Sequence, residues 1–202
     1  MNESLLKLLT ELELFGRTND DTVTDRSRKM LNITHDTGEF LAVLIRAMHA
    51  QRVLEIGTSD GYSTLWLASA VASIGGRVTT IDSSDYKIEL AKKNFSRSNL
   101  ASLIDQIQDD AKQVLSSLEN SAFDFIFLDS ERVEYPAWWS DIKRALRVGG
   151  LLVADNAISH PAEMAPFTAL VNADPEFTTC LVPIGNGEFL ATRVNEQSLS
   201  RT

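Results

Sequence analysis

Several acidic residues in this chain stand where short apolar runs end. Asp82 follows Arg77-Val78-Thr79-Thr80-Ile81, Asp129 follows Phe123 to Leu128, and Asp155 follows Leu151 to Ala154, with Asn156 directly after it. Glu55 lies inside the run Val53 to Ile56, just before Gly57. Two carboxylates and an amide oxygen, as in Asp129, Asp155 and Asn156, are a hard-oxygen donor set of the kind that binds Mg²⁺, Ca²⁺ or Mn²⁺. A single acid at a strand end more often caps the next helix or turn. It is the pairing of Asp129 with Asp155-Asn156, on runs expected to be neighbouring strands, that points to a cation. No Cys/His cluster supports zinc. Asp82, about 20 residues beyond a glycine turn, is placed to grip a ribose hydroxyl.

That turn is Gly57-Thr58-Ser59-Asp60-Gly61, between an apolar strand pattern and a helical one through Leu65, Trp66, Leu67 and Ala68. Strand, glycine turn and helix start together hold nucleotide-like ligands against backbone amides. Gly57 permits the sharp turn and Gly61 the close approach. The spacing departs from G-x-G-x-x-G, and no G-K-[ST] follows, so a dinucleotide is disfavoured and a phosphate loop is absent. The lack of a Tyr-x-x-x-Lys weakens an NAD-dependent oxidoreductase further.

Glu55-x-Gly57-x-x-x-Gly61, followed by the acidic end of the next strand, resembles the first motifs of class I S-adenosylmethionine-dependent methyltransferases. More narrowly, three segments look like the cation-dependent O-methyltransferases of the catechol and caffeoyl-coenzyme A type. They are Leu31 to Ala68, Asp129-Ser130-Glu131-Arg132-Val133-Glu134-Tyr135, and Gly149-Gly150 through Asp155-Asn156. The likeness covers Asn32 to Arg193 and includes Pro183-Ile184-Gly185-Asn186-Gly187. It implies S-adenosylmethionine as methyl donor, in a pocket lined by Glu55, Gly57, Thr58, Gly61, Ser63, Asp82, Ala111 and Asp129. It also implies a divalent cation on Asp129, Asp155 and Asn156, and a small catechol-like or polyhydroxylated acceptor methylated on a hydroxyl oxygen.

One departure matters. The family usually carries a lysine, a candidate general base, three residues after the first metal ligand, and this chain has Arg132 there. A guanidinium stays protonated and cannot accept a proton. Arg132 then orients an anionic acceptor, stabilises an oxyanion, or is a solvated surface arginine. Glu131 and His160 remain as candidate bases, against the plainer roles of exposed acid and helix N-terminal residue. Two other readings stay open: a tRNA hydroxyuridine-type O-methyltransferase, drawn from the basic residues Arg26, Arg28 and Lys29, and a non-catalytic S-adenosylmethionine-binding module, drawn from Arg132.

The elements that must position these groups follow from periodicity. Strands alternate with helices, which predicts an α/β, Rossmann-like, doubly wound and mostly parallel seven-stranded sheet. Phe177 to Ile184 and Glu188 to Val194 read as a C-terminal antiparallel hairpin around Gly185-Asn186-Gly187. A single domain, 1–202, is expected: N-terminal helices over 1–50 covering the site or a dimer interface, a core over 51–194 and a loose tail over 195–202. Leu5, Leu8, Leu9, Leu12 and Phe15 mark a first helix ended by Gly16, its apolar stripe facing the main body or a second subunit. Arg17 to Thr24 reads as a polar loop and Asp25 to Leu31 as a helical stretch. The helix after Pro136 is expected to run through Leu146, with Gly149-Gly150 breaking it before a strand at Leu151 to Ala154. Acceptor specificity is expected from the loops Arg17–Asp25 and Ala157–Ala162. Of Trp138 and Trp139, at least one is expected in the core, while the other could stack on a flat acceptor. Tyr62 is expected beside the glycine turn, and His35 and His49 at the surface.

The net charge of −9, from 19 basic and 28 acidic residues, opposes a nucleic-acid footprint. The one cysteine, Cys180, fits a reducing, cytoplasmic compartment, and its strand pattern predicts a buried inert thiol. Neither a leader nor a membrane-spanning segment is expected. A homodimer is expected from the stripe on the first helix.

Overall fold

The computed structural model describes residues 2–194. Its strands are β1 (Arg52–Ile56), β2 (Arg77–Asp82), β3 (Ile104–Gln108), β4 (Phe123–Leu128), β5 (Leu146–Ala154), β6 (Phe177–Val182) and β7 (Glu188–Arg193). They form one seven-stranded sheet in the order β3-β2-β1-β4-β5-β7-β6. The pairs among β1 to β5 are parallel, and β7 runs antiparallel to both β5 and β6. This is the expected doubly wound sheet with its terminal hairpin.

Helices α1 (Glu3–Thr22), α2 (His35–Met48), α3 (Tyr62–Ala72) and α4 (Asp85–Ser98) cover one face, and α5 (Ala111–Ser117), α6 (Tyr135–Ala145) and α7 (Pro161–Asn172) the other. Strand alternation decides which side chains meet which layer. Val53, Phe125, Phe127, Leu151 and Val153 pack under α1 to α4, whereas Leu54, Ile56, Ile126, Leu128, Leu152 and Ala154 pack under α5 to α7. With both faces covered, β4 is buried along its whole length, which is why its sequence is almost continuously apolar. No described helix is long and apolar enough to cross a membrane.

Several elements differ from expectation. α1 continues past Gly16 to Thr22, so most of the expected loop after Gly16 is helix. Gly16 is buried there, and an added Cβ would sit 2.6 Å from the Asn32 amide; the glycine permits close packing and does not stop the helix. The stripe Leu5, Leu8, Leu9 and Leu12 is buried in the chain's own core, so the main body takes it. Of Asp25 to Leu31, only Arg26–Arg28 forms a helical turn, a 3-10 one. β5 begins at Leu146 and already contains Gly149 and Gly150, where its register against β4 shifts between Phe123 and Phe125. Cys180 is exposed, because β6 is the sheet's edge strand. Trp138 and Trp139 are both buried, packed on Tyr135, Phe167 and Phe177, so neither is free to stack on a ligand. The expected tail, 195–202, lies outside the described residues.

Candidate functional site

Strand order reverses between β1 and β4, and a crevice forms at the carboxyl ends of the strands flanking such a switch point. Register places Ile56 beside both Ile81 and Leu128. Just beyond, Gly57 N donates to Ile81 O at 2.9 Å and Asp129 N donates to Ile56 O at 3.0 Å. The glycine turn is thus clamped between the tips of β2 and β4. Gly57 has φ +108°, and a Cβ built on it would lie 1.9 Å from the Asp129 carbonyl oxygen. Gly61, with φ +87°, caps α3 and lies under the Phe95 ring.

Asp82 reaches into this turn. Its Oδ2 accepts from Ser59 N at 3.0 Å and its Oδ1 from Ser84 N at 2.9 Å. Each carboxylate oxygen has a second acceptor site, so Asp82 retains capacity for a pair of hydroxyls. The segment between α1 and α2 lies across the turn: Asp20 accepts from the backbone of Met30 and Leu31, and Met30 O accepts from Ser59 Oγ at 2.6 Å.

Glu55 is fully buried on the face under α3. Its Oε2 accepts from the hydroxyls of Thr64 and Thr80, and Thr58 bonds Thr80 at 2.7 Å. Because Thr80 donates to Glu55, Thr58 is the donor in its own bond. Burial pushes the Glu55 carboxyl up to about 7, against the pull of the Ser63, Thr64 and Thr80 hydroxyls. Its Oε1 has no partner among the described residues, an orphan acceptor beneath the turn. Thr58 and Ser63 are both buried here, serving the carboxylate, while Ala111 is half-buried in the first turn of α5.

Asp60 was not expected in the site. It is buried in the turn, where its Oδ1 accepts from Tyr62 N at 3.1 Å and its carbonyl from Asn94 Nδ2 at 2.8 Å. Burial pushes its carboxyl up to about 6. The Asp-Gly pair, a turn signal, was the available hint. Tyr62 is buried beside it, edge-on to Trp66.

The second half of the site stands on β4 and β5. Leu128 pairs with Ala154, and Asp155 N donates to Leu128 O at 3.1 Å, so Asp129 and Asp155 emerge side by side. Asp155 Oδ1 accepts from Asn156 N at 2.7 Å and Oδ2 from Asn156 Nδ2 at 3.0 Å. Arg132 is only 6% exposed. Its Nη1 donates to Asn156 Oδ1 at 2.9 Å, while Nε and Nη2 both reach Glu163 Oε2 at 2.8 Å. The surface-arginine reading of Arg132 is therefore wrong, since the guanidinium is folded into the crevice wall.

Sequence reasoning also missed Glu188. The β5–β7 register pairs Ala154 with Phe189, so Glu188 faces Asp155. Thr37 Oγ1 donates to Glu188 Oε1 at 3.1 Å, and Oε2 has no other partner among the described residues beyond the Asp155 carboxyl against it. Burial, then the Asp155 charge, raises the Glu188 carboxyl. Burial also raises Asp129, assisted by the charges of Asp155 and Glu55, with Arg132 opposing. Asp155 is raised by burial against its bond to Glu188.

The hairpin tip locks this end. Gly185 N donates to Asp36 at 3.3 Å, Ala157 N to Gly187 O at 2.8 Å, and the backbone amides of Ile158 and Ser159 to Asn186 O. His160 is half-buried, its N donates to Asn156 O at 2.9 Å, and its Nδ1 lies 2.9 Å from Ser159 Oγ. Glu131 turns outward, 68% exposed at its side chain and 3.9 Å from Arg26. The other basic residues near it are engaged too: Arg28 stacks on Tyr86, and Lys29 Nζ donates to Asp20 O at 2.7 Å.

Arg132 stands on the expected cation set. The Asn156 amide oxygen takes the Arg132 donor, while each Asp155 oxygen accepts one bond from Asn156 and keeps a second acceptor site. Among the described residues no three His, Cys, Asp or Glu side chains are grouped to hold a metal. The donor-side residues fit a nucleoside carrying a ribose and a cationic head: a cradle only glycine allows, a ribose-competent Asp82, and an orphan acceptor on Glu55.

Comparison with known proteins follows these lines. A sequence profile described as O-methyltransferase matches residues 8–194. The catechol O-methyltransferase of Mycobacterium tuberculosis is 35% identical over 126 residues, 62% of this chain and 57% of that protein. The catechol O-methyltransferase of Niastella koreensis is 32% identical over 141 residues, 68% of this chain and 63% of that one. In both cases the match spans less than two thirds of the relative's length. Among solved structures, an O-methyltransferase from Bacillus cereus in complex with SAH superposes with a TM-score of 0.80 at 25% identity, covering 93% of this chain and 90% of that one.

Proposed function

Because this chain belongs to the O-methyltransferase family, we propose that it transfers a methyl group from S-adenosylmethionine to a hydroxyl oxygen of a small catechol-like or polyhydroxylated acceptor. The observation that carries this reading is the placement of Asp129 between two half-sites, backed on one side by the Gly57 turn and flanked on the other by Asp155. When bound, S-adenosylmethionine supplies a methyl carbon on a positive sulfur: the acceptor oxygen forms the new C–O bond, the C–S pair returns to sulfur, and the hydroxyl proton is released.

The chain's own residues account for the rest. Asp82 holds the ribose hydroxyls, and Gly57 lets the tips of β1 and β4 close together around the turn that the donor rests on. Asp129 and the orphan Glu55 oxygen offer acceptor oxygens toward the cationic end of the donor. Arg132, with two of its five N–H groups uncommitted among the described residues, holds the acceptor oxygen as it gains charge. His160 takes the released proton: it is half-buried and near Asp155, whereas Glu131 faces solvent. Much of the acceleration comes from holding oxygen and methyl carbon near 3 Å in line, worth on the order of 7–11 kcal/mol in well-oriented systems. The divalent cation implied by the resemblance takes no step here, because Arg132 donates to the Asn156 oxygen that would hold it.

The names of the relatives support a catechol-like acceptor. The test is to incubate the chain with S-adenosylmethionine and a panel of catechols, polyols and bulk tRNA, reading S-adenosylhomocysteine and methylated product by mass spectrometry. Product on ortho-dihydroxy compounds supports the reading. Donor binding without product on any acceptor would leave a binding module, and salt-sensitive tRNA methylation would replace the acceptor class.

A further inference from the structure

Arg132 sits three residues after Asp129, on a 3-10 turn that aims its side chain back across the tips of β4 and β5. Two of its nitrogens grip the same Glu163 oxygen, at 2.8 Å each, and the third donates to Asn156 Oδ1 at 2.9 Å. Glu163 lies in the first turn of α7, so a rigid element fixes the fork from behind. The amide oxygen Arg132 occupies is the one that the resemblance assigns to a metal. A metal ion and a donor N–H cannot share that oxygen in one direction, and two cations that close repel strongly in a partly dry site. A guanidinium is a permanent charge whose planar donors match carboxylate and phenolate oxygens.

The geometry points to Arg132, clamped by Glu163, as the built-in cation of the acceptor end, standing in place of a divalent ion. This inference rests on the methyl-transfer reading for its substrate, but not for its first test. The acceptor it favours has an ionising hydroxyl beside a second oxygen, so that the two uncommitted N–H groups of Arg132 engage both.

The test is direct metal binding by the full chain, without donor or acceptor. Mn²⁺ titration followed by electron paramagnetic resonance is expected to show no saturable site in the wild type at millimolar metal. Arg132→Ala is expected to gain one, at least tenfold tighter, that Asp155→Ala removes. Glu163→Gln, which removes the clamping carboxylate but leaves the Arg132 charge in place, guards against a fold failure of Arg132→Ala; it should raise Mn²⁺ affinity by a smaller factor. Saturable stoichiometric binding by the wild type that depends on Asp155 would overturn the inference, whether or not any acceptor is methylated. A second readout uses chelator: wild-type turnover, where found, should change less than twofold with EDTA. A tenfold loss restored by Mg²⁺, Ca²⁺ or Mn²⁺ would also overturn it.

Discussion

Thr37 Oγ1 donates a hydrogen bond to Glu188 Oε1 at 3.1 Å, joining the first turn of α2 to the start of β7 across 151 residues of sequence. Both residues are buried, and this is the only hydroxyl bonded to that carboxyl among the described residues. Thr37→Val keeps the shape and removes the donor. A buried acceptor left unsatisfied costs about 1–3 kcal/mol, so urea unfolding should show a loss in that range, with Glu188→Gln milder because its amide can still donate toward Asp155. A loss below about 0.5 kcal/mol for Thr37→Val would show that the bond does not hold the two ends together.

Glu55 makes stability depend on pH in a definite direction. Its carboxyl is raised from 4.5 to about 7 by burial. Between those values the folded chain keeps a proton that the unfolded chain has given up, so the contribution is whole below pH 4.5 and is lost as pH rises through about 7. The shift corresponds to roughly 3 kcal/mol at most. Glu55→Gln should therefore lose less stability than the wild type between pH 5 and pH 8. Equal slopes for the two proteins would show that Glu55 is ionised in the fold throughout.

Gly57 admits no side chain. Gly57→Ala combines a left-handed backbone with a Cβ 1.9 Å from the Asp129 carbonyl. Backbone strain of this kind costs on the order of 1–3 kcal/mol before the clash is counted, and relieving it must push the β1 and β4 tips apart. Calorimetric titration with S-adenosylhomocysteine should show at least a hundredfold weaker binding. Near-native affinity would place the nucleoside elsewhere.

His160 and Glu131 make contrasting predictions. His160→Ala should lower kcat by about 10² or more, in the range for a lost general base. Glu131→Gln, altering a solvent-facing acid, should stay within about twofold of the wild type. A large effect of Glu131→Gln with little from His160→Ala would exchange their roles.

The parts of the molecule legible in the sequence are those set by short-range rules. The glycine turn, the acids ending β2, β4 and β5, and the Gly-Asn-Gly hairpin each carry their geometry in neighbouring residues, and all were placed correctly along the chain. The parts that depend on distant packing were not legible. Gly16 reads as a helix stop until Asn32 and Met30 are seen against it. Cys180 reads as buried until β6 is known to be the edge strand. Arg132 reads as either solvated or functional until Glu163, 31 residues away, is found holding it. Glu188 gave no signal at all, because only the antiparallel register of β7 sets it opposite Asp155.

The hairpin tip, bound to Asp36 and to the backbone of Ala157, Ile158 and Ser159, imposes an order on how the protein is made. The backbone bonds that clamp the glycine turn come from β1, β2 and the tip of β4, all within the first 129 residues. The tip of β5 must wait for residue 188, since neither Thr37 nor the Asn156 loop has its latch before then. A nascent chain stalled short of β7 would thus lack both the Glu188 carboxyl that Thr37 bonds and the hairpin that holds the Asn156 loop.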